Sequence, residues 1–126
     1  MGDGITLDTG ALIAYERRDR EVQLLIRRAT AANAPVTVPA GVLAQAMRNP
    51  ARQARTSKLI RQPGTRVSPL DTSAAVQVGR LLAASGTSDV IDAHVVLCAR
   101  EGEDAIVTSD PKDLARLDPG AKLFVI

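Results

Sequence analysis

Asp89-Val90-Ile91-Asp92-Ala93-His94-Val95-Val96-Leu97-Cys98-Ala99-Arg100 is apolar on most sides, and a short gap separates it from Ala105-Ile106-Val107-Thr108. A helix with so little polar surface has to be buried. The apolar run that follows reads as a buried strand. Moving outward, the same alternation recurs. Ile5-Thr6-Leu7 is a strand ended by Asp8-Thr9-Gly10, after which Ala11 to Tyr15 starts helically. Asp19 to Ala32 carries Val22, Leu25, Ile26 and Ala29 at helical spacing. Pro35 to Val38 is a second strand, Pro39 to Met47 a helix, and Asn49 is expected to cap a helix running toward Ile60. Thr65 to Ser68 is a third strand, Asp71 to Ala84 an amphipathic helix closed by Ser85-Gly86-Thr87, Asp110-Pro111 opens a helix to about Leu117, and Leu123 to Ile126 is the last strand. Strands separated by helices predict βαβ units, a mainly parallel sheet and a three-layer α/β/α fold. No repeat or linker divides residues 1–126, so one domain is expected.

Composition narrows the function. Hydrophobic residues make up 45% of the 126, enough for one core without disulfides. Aromatics are only Tyr15 and Phe124, which argues against stacking bases on aromatic platforms. The single cysteine, Cys98, lies in the apolar helix and reads as a buried inert thiol. His94 is the only histidine, which excludes a two-histidine ribonuclease mechanism and a histidine-based zinc site; it is expected at the helix surface or core edge. Met1 to Thr6 fit the short M-G-x-x-x-T acylation pattern, but Ile5 to Leu7 read as a strand and no basic cluster adds a second anchor. With no membrane-spanning run, a cytoplasmic protein is expected. The net charge of +2 is segregated: between Val22 and Leu70 there is no Asp or Glu, but there are Arg27, Arg28, Arg48, Arg52, Arg55, Lys58, Arg61 and Arg66. Such a stretch suits a polyanion and equally suits a solvated basic face.

The acids lie elsewhere. Asp8 and Asp110 each follow an apolar strand and precede a helix, so in a parallel sheet both stand at its carboxyl edge. Asp89 and Asp92 are three apart and share a face at the start of the buried helix. Asp8, Asp89 and Asp110 each also meet the requirements of an ordinary helix N-cap. Asp92 fits a capping role least well, because it sits among Ile91, Ala93 and Val95. Carboxylates converging on one edge repel and call for a cation, and an all-oxygen set suits Mg²⁺ or Mn²⁺. Such ions activate water for attack on a phosphodiester. Two other readings are weaker. Leu7-Asp8-Thr9-Gly10-Ala11 is similar to the active-site turn of retroviral-type aspartic proteases, but helix follows it and no glycine-rich flap exists. A phosphoryl-accepting domain would need a lysine after the last strand–loop, for which Lys112 is a poor stand-in.

Four blocks together carry a resemblance. They are Ile5-Thr6-Leu7-Asp8-Thr9-Gly10-Ala11, Val38-Pro39-Ala40-Gly41-Val42-Leu43-Ala44, Ser88-Asp89-Val90-Ile91-Asp92-Ala93-His94 and Val107-Thr108-Ser109-Asp110-Pro111-Lys112-Asp113-Leu114. In this order, over nearly the whole chain, they resemble PIN-domain proteins and specifically the VapC toxin branch. The resemblance implies Mg²⁺- or Mn²⁺-dependent endonucleolytic cleavage of RNA, a cognate VapB-type antitoxin and a homodimer. By position it implies Asp8, Asp92 and Asp110 as metal ligands and Asp89 as a further acid at the same mouth. Thr108 and Asp113 are auxiliary, and RNA is expected on Arg48, Arg52, Arg55 and Lys58. One position departs from the pattern: the family has Glu where this chain has Gln45. Its side-chain oxygen can still serve a metal-bound water, but one charge is missing, so weaker metal affinity is expected. The alternative is a PIN-like module that binds RNA or a partner without cutting.

Overall fold

A computed structural model of the chain describes residues 3–126; Met1 and Gly2, which open the acylation pattern, lie outside the described residues. Five short strands form one sheet: β1 (Ile5–Leu7), β2 (Val36–Pro39), β3 (Thr65–Ser68), β4 (Ala105–Thr108) and β5 (Leu123–Val125). Their order is β3-β2-β1-β4-β5 and every neighbouring pair is parallel. The helices are α1 (Thr9–Glu16), α2 (Arg20–Ala31), α3 (Ala40–Ala46), α4 (Ala54–Leu59), α5 (Thr72–Ser85), α6 (Val90–Gly102) and α7 (Pro111–Leu117). α1, α2 and α4 associate with one another, as do α5, α6 and α7, and α1, α2 and α6 pack on the central strands. The expected three-layer α/β/α fold is what forms.

The topology follows from burial. β1, β2 and β4 are buried at every position, as parallel strands between two helical layers must be. The core is aliphatic: Leu7, Leu12, Val22, Val38, Leu59, Val95, Ile106 and Leu114 are almost wholly excluded from solvent. The chain winds outward from β1 to β3, returns to β4 and continues to β5. The order of strands therefore reverses between β1 and β4, and ligand sites form in the crevice beyond the carboxyl ends at such a point.

Two local expectations are corrected. The stretch after Asn49 is not one helix but a 3-10 turn (Pro50–Arg52) followed by α4. Asn49 makes no side-chain cap; its N–H donates instead to Gln53 Oε1, and the Gln53 amide donates to the Ala46 carbonyl. These side-chain bonds compete with the helical ladder and break it at Gln53. His94 is not at a surface or core edge but 2% exposed, because α6 is covered by the sheet and by α5 and α7. Its buried Nδ1 has no hydrogen-bond partner, and burial holds its pKa below the usual imidazole value. Cys98 is buried as expected, and burial pushes its thiol pKa up. Gly86, in the left-handed region at φ 69°, ends α5 where the sequence places a stop. Among the described residues no single helix is long and apolar enough to cross a membrane.

Candidate active site at the carboxyl edge of the sheet

Parallel pairing sets Leu7 beside Val107, so the next residues, Asp8 and Thr108, meet at the edge of the sheet. Asp8 is 6% exposed. Its Oδ1 accepts the Ala11 N–H at 2.8 Å and caps α1, while the Thr108 hydroxyl donates to the same carboxylate. Burial raises the Asp8 pKa, against the lowering effect of Thr108 and the backbone donors Ala11 and Gly10. Thr108 also accepts the Asp110 N–H at 2.8 Å, so one hydroxyl ties the two acid-bearing edges together. Asp110 stands two residues beyond the strand rather than level with Asp8.

The two capping interpretations separate here. Asp8 and Asp89 do cap helices, Asp89 through Oδ1 to the Asp92 N–H at 2.9 Å. Asp110 does not cap α7; its carboxyl shares a hydrogen bond with Asp113, one turn on, and this raises its pKa. Asp92 projects from the first turn of α6 into the same mouth. Burial first, then the charges of Asp89, Asp113, Asp8 and Asp110, push it up to about 6. Four acids, from the end of β1, the start of α6, the β4–α7 connection and α7, thus act electrostatically on one carboxyl group.

Among the described residues no three His, Cys, Asp or Glu side chains stand close enough to hold a metal ion directly between them. The donor set nonetheless fits a hard divalent cation: it is all carboxylate, mutually repelling, and open to water. Mg²⁺ in particular binds through one or two carboxylates and keeps several waters. Asp8, Asp92 and Asp110 are the residues that would hold it.

Gln45, near the end of α3, reaches this mouth. The Thr9 hydroxyl donates to its Oε1 at 2.6 Å. One of the two lone pairs of the oxygen expected to serve a metal-bound water is therefore already engaged. Arg48 sits beside it, its Nε donating to the Gln45 carbonyl at 3.1 Å. Arg52 and Lys58 are exposed on the same connection. Arg55 is committed elsewhere: its guanidinium lies 4.8 Å over the Tyr15 ring and its Nε donates to the Tyr15 carbonyl. Tyr15 is seven residues along α1 from Asp8, about 10 Å at the usual rise.

Three further residues at the mouth carry no sequence signal. Gly10 has no room for a side chain, because the Ser109 hydroxyl occupies the space a Cβ would take. An open cleft of about 300 Å³ beside the acids is lined by Thr87, Ser88, Asp89, Asp92, Asp113 and Arg116 among others. Among the described residues that line it, Arg116 is the basic one.

Carboxylates thus gather at the switch point of an open α/β/α sheet. The PIN domain model matches residues 5–119, and the chain belongs to the PIN-domain family. Members of that family are in general divalent-metal-dependent nucleases. Among solved structures, the chain is similar to VapBC2 from Rickettsia felis bound to a DNA fragment from the promoter, with a TM-score of 0.70 and 15% identity over 98% of each chain. It is also similar to FitAcB from Neisseria gonorrhoeae, with a TM-score of 0.61 and 17% identity over 95% of this chain and 96% of that one. No curated protein matches by sequence.

Proposed function

We propose that the chain is a Mg²⁺- or Mn²⁺-dependent endoribonuclease, the toxin of a toxin–antitoxin pair. The observation that carries this is the convergence of Asp8, Asp89, Asp92, Asp110 and Asp113 at the switch point of a PIN domain. A divalent cation bound by Asp8, Asp92 and Asp110 supplies acidification of a water and neutralisation of charge at the phosphodiester. The chain supplies the rest. Thr108 orients Asp8 and the Asp110 backbone together, and Asp8 is held rigidly by its cap to α1. Asp89 uses one oxygen to cap α6, leaving the other to accept a hydrogen bond at the mouth. Arg48, Arg52 and Lys58, with Arg116 in the cleft beside the acids, hold the RNA backbone without reading its sequence.

Likeness to the VapBC2 structure supports an antitoxin of the VapB type as partner, and a homodimer is the assembly we assign to this cytoplasmic ribonuclease. A second reading, an RNA- or partner-binding module that does not cut, is favoured by Gln45 in place of the family's Glu. Incubation of total RNA with the purified protein in Mn²⁺, and in EDTA, decides between them. Discrete fragments that need the metal and vanish in Asp8→Asn support the nuclease. Stoichiometric RNA binding with no cleavage in Mn²⁺ supports the module.

A further inference from the structure

Gln45 occupies the position where a metal-binding carboxylate is expected, yet it is neutral and one lone pair of its oxygen is already taken. The Thr9 hydroxyl holds it at 2.6 Å, and Thr9 is anchored next to Asp8 at the first turn of α1. What remains free is the amide –NH₂, a group with two donors and no affinity for cations. No described residue accepts from it, and the side chain is exposed. The neighbouring carboxylate does not need it, because Asp8 already takes the Ala11 and Gly10 N–H groups and the Thr108 hydroxyl. A free donor beside a cluster of acids is complementary to an anion that arrives with the cation.

We infer that Gln45 binds substrate: its amide N–H donates to a non-bridging oxygen of the RNA phosphodiester, with Thr9 as the positioning residue that turns the amide. This rests on the ribonuclease reading for the identity of the anion. In place of a fourth metal ligand, the chain has a phosphate donor. A hydrogen bond from a neutral donor to a charged oxygen amounts to roughly a tenfold change in affinity or more.

The test is binding of a fluorescein-labelled, mixed-sequence single-stranded RNA in Ca²⁺, followed by anisotropy, beside Mn²⁺ affinity measured without RNA. Gln45→Ala is expected to weaken RNA binding about tenfold and to leave Mn²⁺ affinity unchanged. Gln45→Glu is expected to move the two in opposite directions, tighter for Mn²⁺ and weaker for RNA. Thr9→Val loses part of the RNA affinity, and Thr9→Ser, which keeps the hydroxyl, restores it. Equal RNA affinity for Gln45→Ala and the wild type overturns the inference, as does absence of RNA binding by the wild type. A parallel loss of RNA and Mn²⁺ affinity in Gln45→Ala also overturns it, since the oxygen would then serve the metal. Cleavage is scored separately with Asp92→Asn. A wild type that binds through Gln45 but never cuts refutes the nuclease and leaves the inference standing.

Discussion

Asp92→Asn should stabilise the metal-free protein at neutral pH while removing a ligand. Asp92 in the folded chain holds its proton up to about 6, against an ordinary 3.8. The folded state therefore binds that proton more tightly than the unfolded chain. Its contribution to stability is greatest below pH 4 and is lost as pH rises through 4 to 6. Two pH units correspond to at most about 3 kcal/mol. Screening by the water that reaches the mouth reduces this to on the order of 1–2 kcal/mol. Asn keeps the volume and cannot ionise, so the variant escapes the penalty. For a chain of this size the gain is a melting temperature roughly 3–8 °C higher. The assay is thermal unfolding in EDTA at pH 7.5 and pH 4.0. The stabilisation should be present at pH 7.5 and mostly gone at pH 4.0. A variant that melts below the wild type at pH 7.5, or by the same margin at both pH values, refutes the electrostatic argument.

Other expectations follow from particular contacts. Arg55→Ala removes the stacking on Tyr15 and the bond to its carbonyl, so it should cost about 1–2 kcal/mol of stability; denaturant titration measures this, and RNA affinity should not change. Arg48→Ala and Arg116→Ala should each weaken RNA binding and flatten its salt dependence by about one unit of slope. Gly10→Ala places a methyl group against the Ser109 hydroxyl and should destabilise by about 1–3 kcal/mol. Adding Ser109→Ala should recover most of that loss in the same melt, because the nearest remaining Ser109 atom is at 3.5 Å.

What was legible in the sequence is what burial writes locally. The strands at residues 5–7 and 105–108 and the buried helix after Asp89 each bury a largely apolar stretch, so pattern alone locates them. Asp8, Asp92 and Asp110 stood out because a carboxylate at a strand end or among apolar residues demands a reason. What stayed hidden depends on partners distant in the chain. Arg55 reads as a free cation until Tyr15, 40 residues earlier, is folded beneath it. The orientation of the Gln45 amide is set by Thr9, 36 residues away. His94 resembles any helical histidine until Pro69, Asp71 and the start of α5 close over it. Even the two interpretations of the acids were not true alternatives, since Asp8 caps a helix and also faces the mouth.

Titration with Mn²⁺ followed by electron paramagnetic resonance asks whether these acids form one cation site. The account predicts saturable binding at pH 7.5 that weakens at least tenfold in Asp92→Asn and again as pH falls below 6. Equal Mn²⁺ affinity for Asp92→Asn and the wild type would contradict it.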